Sequence, residues 1–410
     1  MGFGVSSTRT DARGPGRARL AVIANAPVPY RSPIWRQLSG RDGLDLCVFY
    51  GDMFGARPYR DPFFKREVQW DSALLDGYSW VEANNQSLAW VNWRLSQNVP
   101  SIRRTLQEWG ATHVLIPGKE LVYYVQALRA AQRLDLPVLY RADTHPPKGH
   151  VIAESVARWT RRYVYRRVSA VLCQGRYQFE EYKADGIAPE RLVFSPYCVD
   201  NDYFEAQRSA LAADRESLRR RYGFSSDTFV VGYVGKLYPH KRPLDLIRAL
   251  AAAQATGRRF GLLMVGDGEL KAECMRVAQG GCAGGVAFPG FLNQSELGSA
   301  YLTMDALIMP SSHETWGLVL NEAMVFRLPV IASDSVNSAK DLIRDGYNGF
   351  TYPVGVVSAL AQRIGLVADQ VSAGVPMGMR GWEMIQDYSP RHAADGIATA
   401  LFATGKGCHS

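Results

Sequence analysis

Two acidic residues eight positions apart, Glu314 and Glu322, lie in the run Ser311-Ser312-His313-Glu314-Thr315-Trp316-Gly317-Leu318-Val319-Leu320-Asn321-Glu322-Ala323-Met324. Two lysines five positions apart, Lys236 and Lys241, lie in Gly235-Lys236-Leu237-Tyr238-Pro239-His240-Lys241-Arg242-Pro243. Lysines beside a helix start, where backbone N–H groups lack partners, make a cradle for phosphate. Carboxylates accept hydrogen bonds from hydroxyl-rich groups. Eight residues of helix rise about 12 Å, comparable to the length of a nucleotide-sugar. One acid would meet a sugar and the other a ribose, with diphosphate between them. An acid near a helix start is also common for purely structural reasons.

The surrounding pattern positions these groups. Residues 305–309 are a short apolar run ending at Pro310, which predicts a buried strand, and residues 317–326 predict a helix stopped by Leu328-Pro329. Glu314 then falls in the loop between strand and helix. Residues 229–234 are continuously apolar, as a strand buried on both faces requires, and deliver Gly235 and Lys236 to the next helix at 244–253. Residues 261–265 form another strand ending at Gly266-Asp267-Gly268, and residues 286–288 lead to Pro289-Gly290-Phe291-Leu292.

The first half has the same rhythm. Strands are expected at 20–24, 44–50, 112–116, 137–140 and 170–173, and helices at 97–109, 121–134 and 154–167. Alternation of strand and helix implies parallel, doubly wound α/β sheets. Pro29, Tyr30 and Arg31 follow the first strand, and Asp143 and His145 follow the strand at 137–140, both at carboxyl ends where such sheets bind ligands. Residues 50–93 are rich in aromatics, among them Trp70, Trp80, Trp90 and Trp93, and read as long loops with short strands.

The chain has 410 residues, 47 % of them hydrophobic, and a net charge of +8, which fits a two-domain globular protein with anionic ligands. No apolar run is long enough to span a bilayer, and residues 1–19 lack the apolar core of a secretory signal, so they read as a disordered tail. The cysteines at 47, 173, 198, 274, 282 and 408 are scattered without a C-x-x-C pair, which fits a reducing cytoplasm and not zinc. The segment Arg158–Arg167 is basic and aromatic; peripheral contact with an anionic membrane at the inner face is one reading and a solvated face the plainer one. No nucleic-acid-binding fold accompanies it.

The H-E-T-W-G-L-V-L-N-E-A-M run, followed by L-P-V-I-A-S-D and D-G-Y-N-G-F, resembles the donor site of retaining GT-B glycosyltransferases of glycosyltransferase family 4. The span 235–241 resembles that family's G-R/K-L-x-x-x-K-G motif with Arg242 in place of the usual glycine, and Val265-Gly266-Asp267-Gly268 resembles its V-G-x-G turn. The loop Pro27-Val28-Pro29-Tyr30-Arg31 and the pattern Asp71-x-x-Leu74-Leu75-x-Gly77-Tyr78 resemble one subset of it. The resemblance covers residues 20–403, loosely before Gly232.

The resemblance implies a GT-B fold: two doubly wound, Rossmann-like parallel-sheet domains facing a cleft. The expected division is 20–204 for the acceptor, a linker at 205–227, 228–389 for the nucleotide-sugar, and a crossing-back helix with tail at 390–410. It implies retention by front-face attack, with a UDP-sugar favoured over a GDP-sugar and a hydroxyl-bearing glycan, lipid-linked or small-molecule acceptor. Lys236, Lys241 and Glu314 would be catalytic. Gly235, Gly266, Phe291, Leu292, Thr315, Trp316, Gly317, Leu318 and Glu322 would bind the donor. Pro29, Tyr30, Arg31, Asp143 and His145 are weaker acceptor-side candidates. No cofactor or essential metal is implied; Asp200-x-Asp202 matches a metal motif formally but sits in the family's structural V-D-x-x-x-F segment. Side chains at Asn337 and Ser338, where relatives often place G-G or G-C, would narrow the sugar site. Alternatives on the same fold are a nucleotide-sugar epimerase or hydrolase and a non-catalytic nucleotide-sugar-binding subunit.

Overall fold

The computed structural model describes residues 17–61, 66–86, 97–118, 122–142, 161–279 and 284–405. The chain divides into two compact units, one formed by 1–59, 73–197 and 390–410, the other by 60–72 and 198–389.

The first unit is built on a seven-stranded sheet. Its strands are β1 (Ala18–Ala24), β2 (Leu44–Tyr50), β3 (Ser79–Glu82), β4 (His113–Ile116), β5 (Val138–Tyr140), β6 (Ala170–Cys173) and β7 (Leu192–Phe194). They lie in the order β3-β2-β1-β4-β5-β6-β7, all parallel. β1 is an interior strand, with Leu20 opposite both Leu46 and His113. Its apolar run is fully buried, because helices cover both faces of such a sheet. Helix α1 (Ser32–Ser39) starts with Pro33 in its first turn, a position where the missing N–H costs nothing. Tyr78 explains the signature around it: its hydroxyl is 2.8 Å from that of Tyr50 and 3.4 Å from the Ser32 Oγ, pinning the chain before β3 onto α1.

Helix α2 runs over Ile102–Trp109, shorter than the 97–109 expected. Pro100 disfavours helical backbone in the residue before it, and Gln97 instead turns inward, its side-chain amide donating to the Asn25 carbonyl at 3.0 Å. Helices α3 (Val122–Arg133) and α4 (Arg176–Ala184) complete this part of the wrapping.

The second unit carries a six-stranded sheet: β8 (Phe229–Val234), β9 (Phe260–Val265), β10 (Val286–Gly290), β11 (Ala306–Met309), β12 (Val330–Ser333) and β13 (Gly349–Tyr352). The order is β10-β9-β8-β11-β12-β13, again all parallel. β8 is the topological switch: the chain goes first to one side of it, then returns to the other. In such sheets ligands bind at the carboxyl ends where the order reverses, here the loops after β8 and β11.

Residues 205–227 are largely helical, in α5 (Asn201–Leu211) and α6 (Arg215–Arg221). Asp200 is the cap of α5, its Oδ1 accepting the Tyr203 N–H at 3.3 Å, which gives this acid a structural task. The other helices of this unit are α7 (Pro243–Ala253), α8 (Lys271–Ala278), α9 (Gln294–Thr303), α10 (Leu318–Val325), α11 (Asn337–Leu342), α12 (Val357–Ser372) and α13 (Met377–Ile385). The last helix, α14 (Pro390–Gly405), belongs to the first unit, where Arg41 pairs with Asp395 and the Ser195 hydroxyl donates to the Ala393 carbonyl at 2.9 Å.

Candidate active site

In the second unit, the loops after β8 and β11 meet on the two sides of the switch point. Lys241 Nζ forms an ion pair with Glu314 Oε1, and the Ser311 hydroxyl donates to the same oxygen at 2.9 Å. Both charged side chains are largely shielded from solvent, 21 % exposed for Lys241 and 12 % for Glu314. The loops are further joined through the His240 carbonyl, which accepts from the Ser312 N–H at 2.8 Å and the Ser312 hydroxyl at 3.0 Å.

Lys236 lies in the same neighbourhood. Its carbonyl accepts from the Tyr233 hydroxyl at 2.8 Å. His240 feels both lysines: partial burial holds its imidazole below the ordinary histidine range, and the charges of Lys241, His313 and Lys236 add to the effect against the opposing pull of Glu314. An anion arriving here would meet a site of net positive charge.

The turn after β9 closes against the turn after β8. Gly266 has φ +136°, and a Cβ there would stand 1.8 Å from the Gly235 carbonyl oxygen. Only glycine permits both that backbone and that approach. The Gly266 N–H donates to the Gly290 carbonyl at 2.7 Å, so the loop carrying Phe291 and Leu292 is tied to the same rim. Both of these side chains are half-buried.

Helix α10 starts at Gly317, in the left-handed conformation with φ +102°. A Cβ there would meet the Met309 sulfur at 2.8 Å. No side chain caps the helix and no acid occupies its first turn, which suits a helix start that receives an external anion. Trp316 turns inward: its indole N–H donates to Asn321 Oδ1 at 2.9 Å and its ring stacks on Tyr388 at 6.0 Å, so only its backbone faces the site. The loop is held by Asn337, whose side-chain amide donates to the carbonyls of Glu314 at 2.7 Å and Thr315 at 3.3 Å. The Ser338 N–H donates to the Trp316 carbonyl at 3.2 Å. Asn337 thus latches the loop that carries Glu314, a task different from the narrowing expected of it.

The eight residues between the two acids are not a continuous helical rise, and the 12 Å estimate drawn from it does not apply. Glu314 forms an isolated parallel bridge with Val336, Gly317 is left-handed, and only the last steps lie in α10. Glu322 is correspondingly different from Glu314. The residue is half-buried, with Oε2 accepting the Tyr301 hydroxyl at 2.5 Å, and burial pushes its pKa up from 4.5 to about 7 against the lowering effect of that hydrogen bond. Tyr301, fully buried, stacks on Phe326 at 5.1 Å, and Phe326 packs edge-on against Phe204 at 6.0 Å. Phe326 therefore reaches the candidate site through one tyrosine. Arg327 itself takes φ +60° and pairs with Glu205 at 3.2 Å.

Arg242, where the resemblance leads one to expect glycine, adopts the glycine-like backbone, φ +51° and ψ +43°, immediately before α7. The left-handed conformation costs a non-glycine residue about 1–2 kcal/mol, and the ion pair of Arg242 Nε with Asp245 at 2.5 Å offsets part of it.

In the first unit, Arg31 ends the loop after β1, with its Nη1 3.5 Å from Asn25 Oδ1 and its guanidinium 5.7 Å from the Tyr30 ring centroid. Pro29 is buried and Tyr30 half-buried beside it. Asp143 and His145 lie outside the described residues, as does the first part of Arg158–Arg167. Of the rest, Arg161 pairs with Asp185 at 2.8 Å and Arg167 lies over the Tyr163 ring, while Arg162 and Arg166 are exposed. Among the described residues, no helix is long and apolar enough to cross a membrane and no group of three His, Cys, Asp or Glu converges as a metal site.

Residues 214–370 match the family Glycosyl transferases group 1. Every residue of the rim just described, from Gly235 to Asn337, falls inside that matched span. Among curated relatives, a 2-deoxystreptamine glucosyltransferase of Streptomyces kanamyceticus is 29 % identical over 256 residues, 62 % of this chain and 64 % of its own. A GDP-mannose-dependent alpha-mannosyltransferase of Mycobacterium tuberculosis is 31 % identical over 269 residues, 64 % and 66 % respectively. The chain thus spans just under two thirds of these relatives' length. The chain shares its fold with Anabaena Alr3699/HepE, solved in complex with UDP, at TM-score 0.69 and 17 % identity over 94 % of this chain and 100 % of that one. A lipopolysaccharide outer core galactosyltransferase matches at TM-score 0.65 and 17 % identity over 94 % and 99 %. The fold is GT-B, with two parallel α/β sheets.

Proposed function

We propose that the protein is a retaining glycosyltransferase that moves a sugar from a nucleotide-sugar, a UDP-sugar in preference to a GDP-sugar, to a hydroxyl of an acceptor. The observation that carries this reading is the rim of the second unit: Lys241 and Glu314 paired across the switch point, beside a helix start that no side chain caps. Cleaving the bond between the anomeric carbon and the diphosphate leaves negative charge on phosphate. Lys236, Lys241 and the N–H groups at the start of α10 are the donors available to that charge. Removing one such donor typically costs about 3–4 kcal/mol of transition-state stabilisation.

Without substrate, Lys241 and Glu314 neutralise each other. When a nucleotide-sugar arrives, Lys241 turns to the leaving phosphate and Glu314 is released to the sugar hydroxyls, so each exchanges one charge-assisted contact for another. Glu322, beside Tyr301, receives the ribose. The departing phosphate takes the proton of the acceptor hydroxyl as the new glycosidic bond forms on the same face. Positive charge comes from side chains and backbone, so no metal is required for this step. The UDP complex of HepE and the GDP-mannose named for the mycobacterial relative make uracil and guanine the bases to test first.

The test is turnover of UDP- and GDP-sugars by the wild type, Lys241→Ala and Glu322→Ala. Both variants should lose at least tenfold in kcat/KM on the preferred donor. Near-full activity in both would overturn the assignment.

A further inference from the structure

Residues 60–72 leave the chain between β2 and β3 yet belong to the second unit. The end of this strap is pinned to the start of α9. Asn293 Nδ2 donates to the Gln69 carbonyl at 2.8 Å, and Asp71 Oδ2 accepts the Ser295 N–H at 3.2 Å together with the Ser295 hydroxyl. Helix α9 does not need these contacts for its own start. It has a complete capping box, Asn293 Oδ1 accepting from Gln294 N–H and Glu296 Oε2 from Asn293 N–H, each at 3.0 Å. The extra bonds fix the strap rather than the helix.

What they fix is Trp70. Its ring centroid is 6.3 Å from that of Phe291, with the planes inclined at 49°, and both residues are half-buried. Two rings at that angle form a wedge, not a flat stack. Phe291 directly follows Gly290, whose carbonyl receives the Gly266 N–H, and Gly266 in turn closes on Gly235. The wedge therefore stands on the same rim as the lysines, at the edge strand β10. Three strand spacings, in the order β10-β9-β8-β11, separate it from the start of α10, about 14 Å at 4.8 Å per spacing. A nucleoside diphosphate whose phosphates lie at α10 and the lysines extends its base toward that edge.

We infer that Trp70 is a nucleobase-binding residue, supplied by the strap, which beside Phe291 extends the aromatic surface on which the base of the donor stacks. This rests on the donor-site reading above. Stacking is tolerant of base identity, because every base has a π-face. Trp70 therefore strengthens nucleotide binding without choosing between uracil and guanine.

The experiment is calorimetric titration of the full chain with UDP, GDP and inorganic pyrophosphate, for the wild type, Trp70→Ala, Trp70→Phe and Asp71→Ala. Loss of one base–aromatic stack corresponds to a 5- to 150-fold weakening, about the range expected for Trp70→Ala with the preferred nucleotide. Pyrophosphate affinity should stay unchanged, Trp70→Phe should stay within about threefold of wild type, and Asp71→Ala should shift nucleotide affinity in the same direction as Trp70→Ala. If Trp70→Ala lowers the melting temperature, Trp70→Phe and Asp71→Ala decide: pyrophosphate-neutral weakening in Asp71→Ala with retention in Trp70→Phe supports the inference. Wild-type nucleotide binding that neither Trp70→Ala nor Asp71→Ala changes overturns it and leaves the donor-site reading standing. A wild type that binds neither nucleotides nor pyrophosphate overturns the donor-site reading itself.

Discussion

Replacing Glu322 by glutamine should stabilise the protein while weakening its hold on nucleotide. In the folded chain the Glu322 carboxyl keeps its proton to about pH 7, against 4.5 for an unperturbed carboxyl. Between those values the native state binds the additional proton, so stability falls as the pH rises through that window and the loss is complete above pH 7. The displacement corresponds to roughly 3 kcal/mol of destabilisation at pH 8. Glutamine is close in shape, its carbonyl still accepts from the Tyr301 hydroxyl, and it carries no charge to bury. The difference in melting temperature between Glu322→Gln and wild type should be near zero at pH 4 and rise to roughly 6–12 °C at pH 8, given about 2–4 °C per kcal/mol for a unit of this size. Thermal unfolding followed by circular dichroism across that pH range reads this directly. In parallel, UDP affinity should fall about 10- to 100-fold at pH 8, the worth of a hydrogen bond to a charged acceptor. A variant that is equally destabilised at both pH values would refute the reasoning, because burial of charge would then not be what sets the energy of this residue.

Three further outcomes follow from the geometry. Gly266→Ala should lower stability by at least about 3 kcal/mol in denaturant titrations, since its Cβ would overlap the Gly235 carbonyl in a backbone conformation that L-residues rarely adopt; a change under 1 kcal/mol would contradict this. Arg242→Gly should change stability by less than about 1 kcal/mol, because relief of the left-handed backbone and loss of the Asp245 pair oppose each other; strong destabilisation would mean that the ion pair dominates. Asn337→Ala should lower kcat/KM for donor about tenfold or more with little loss of melting temperature, since it frees the Glu314–Thr315 carbonyls from their latch; unchanged kinetics would show that the loop is held elsewhere.

The parallel strands and the group of residues at the rim were legible because their signals are local. A continuous apolar run marks a strand buried on both faces, and a glycine or lysine just after it falls at the carboxyl edge whatever the rest of the chain does. Thus 229–234 followed by Gly235 and Lys236, and 305–309 followed by Glu314, carried most of the site. The loop-borne spacing was not legible in the same way: counting Glu314 to Glu322 as helix ignores the left-handed Gly317, where an added Cβ would meet Met309. Tyr301 is invisible from sequence because its partner is 21 positions away and no period links them. Asn337 reads from sequence as an intruding side chain, and only the bridge between Glu314 and Val336 shows that it faces the loop backbone. The strap of Trp70 has the same origin: its bonds to Asn293 and Ser295 join segments 224 residues apart. The backbone at Arg242 and Arg327 shows the converse, since tertiary packing imposes on arginine a conformation that its intrinsic preference opposes.

The most direct test of the central claim is a crystal structure of the protein with bound UDP. The account predicts the terminal phosphate within hydrogen-bond distance of the N–H groups at the start of α10, Lys241 turned from Glu314 toward it, and the ribose at Glu322. A nucleotide bound elsewhere, with Lys241 and Glu314 still paired and the start of α10 vacant, would contradict it.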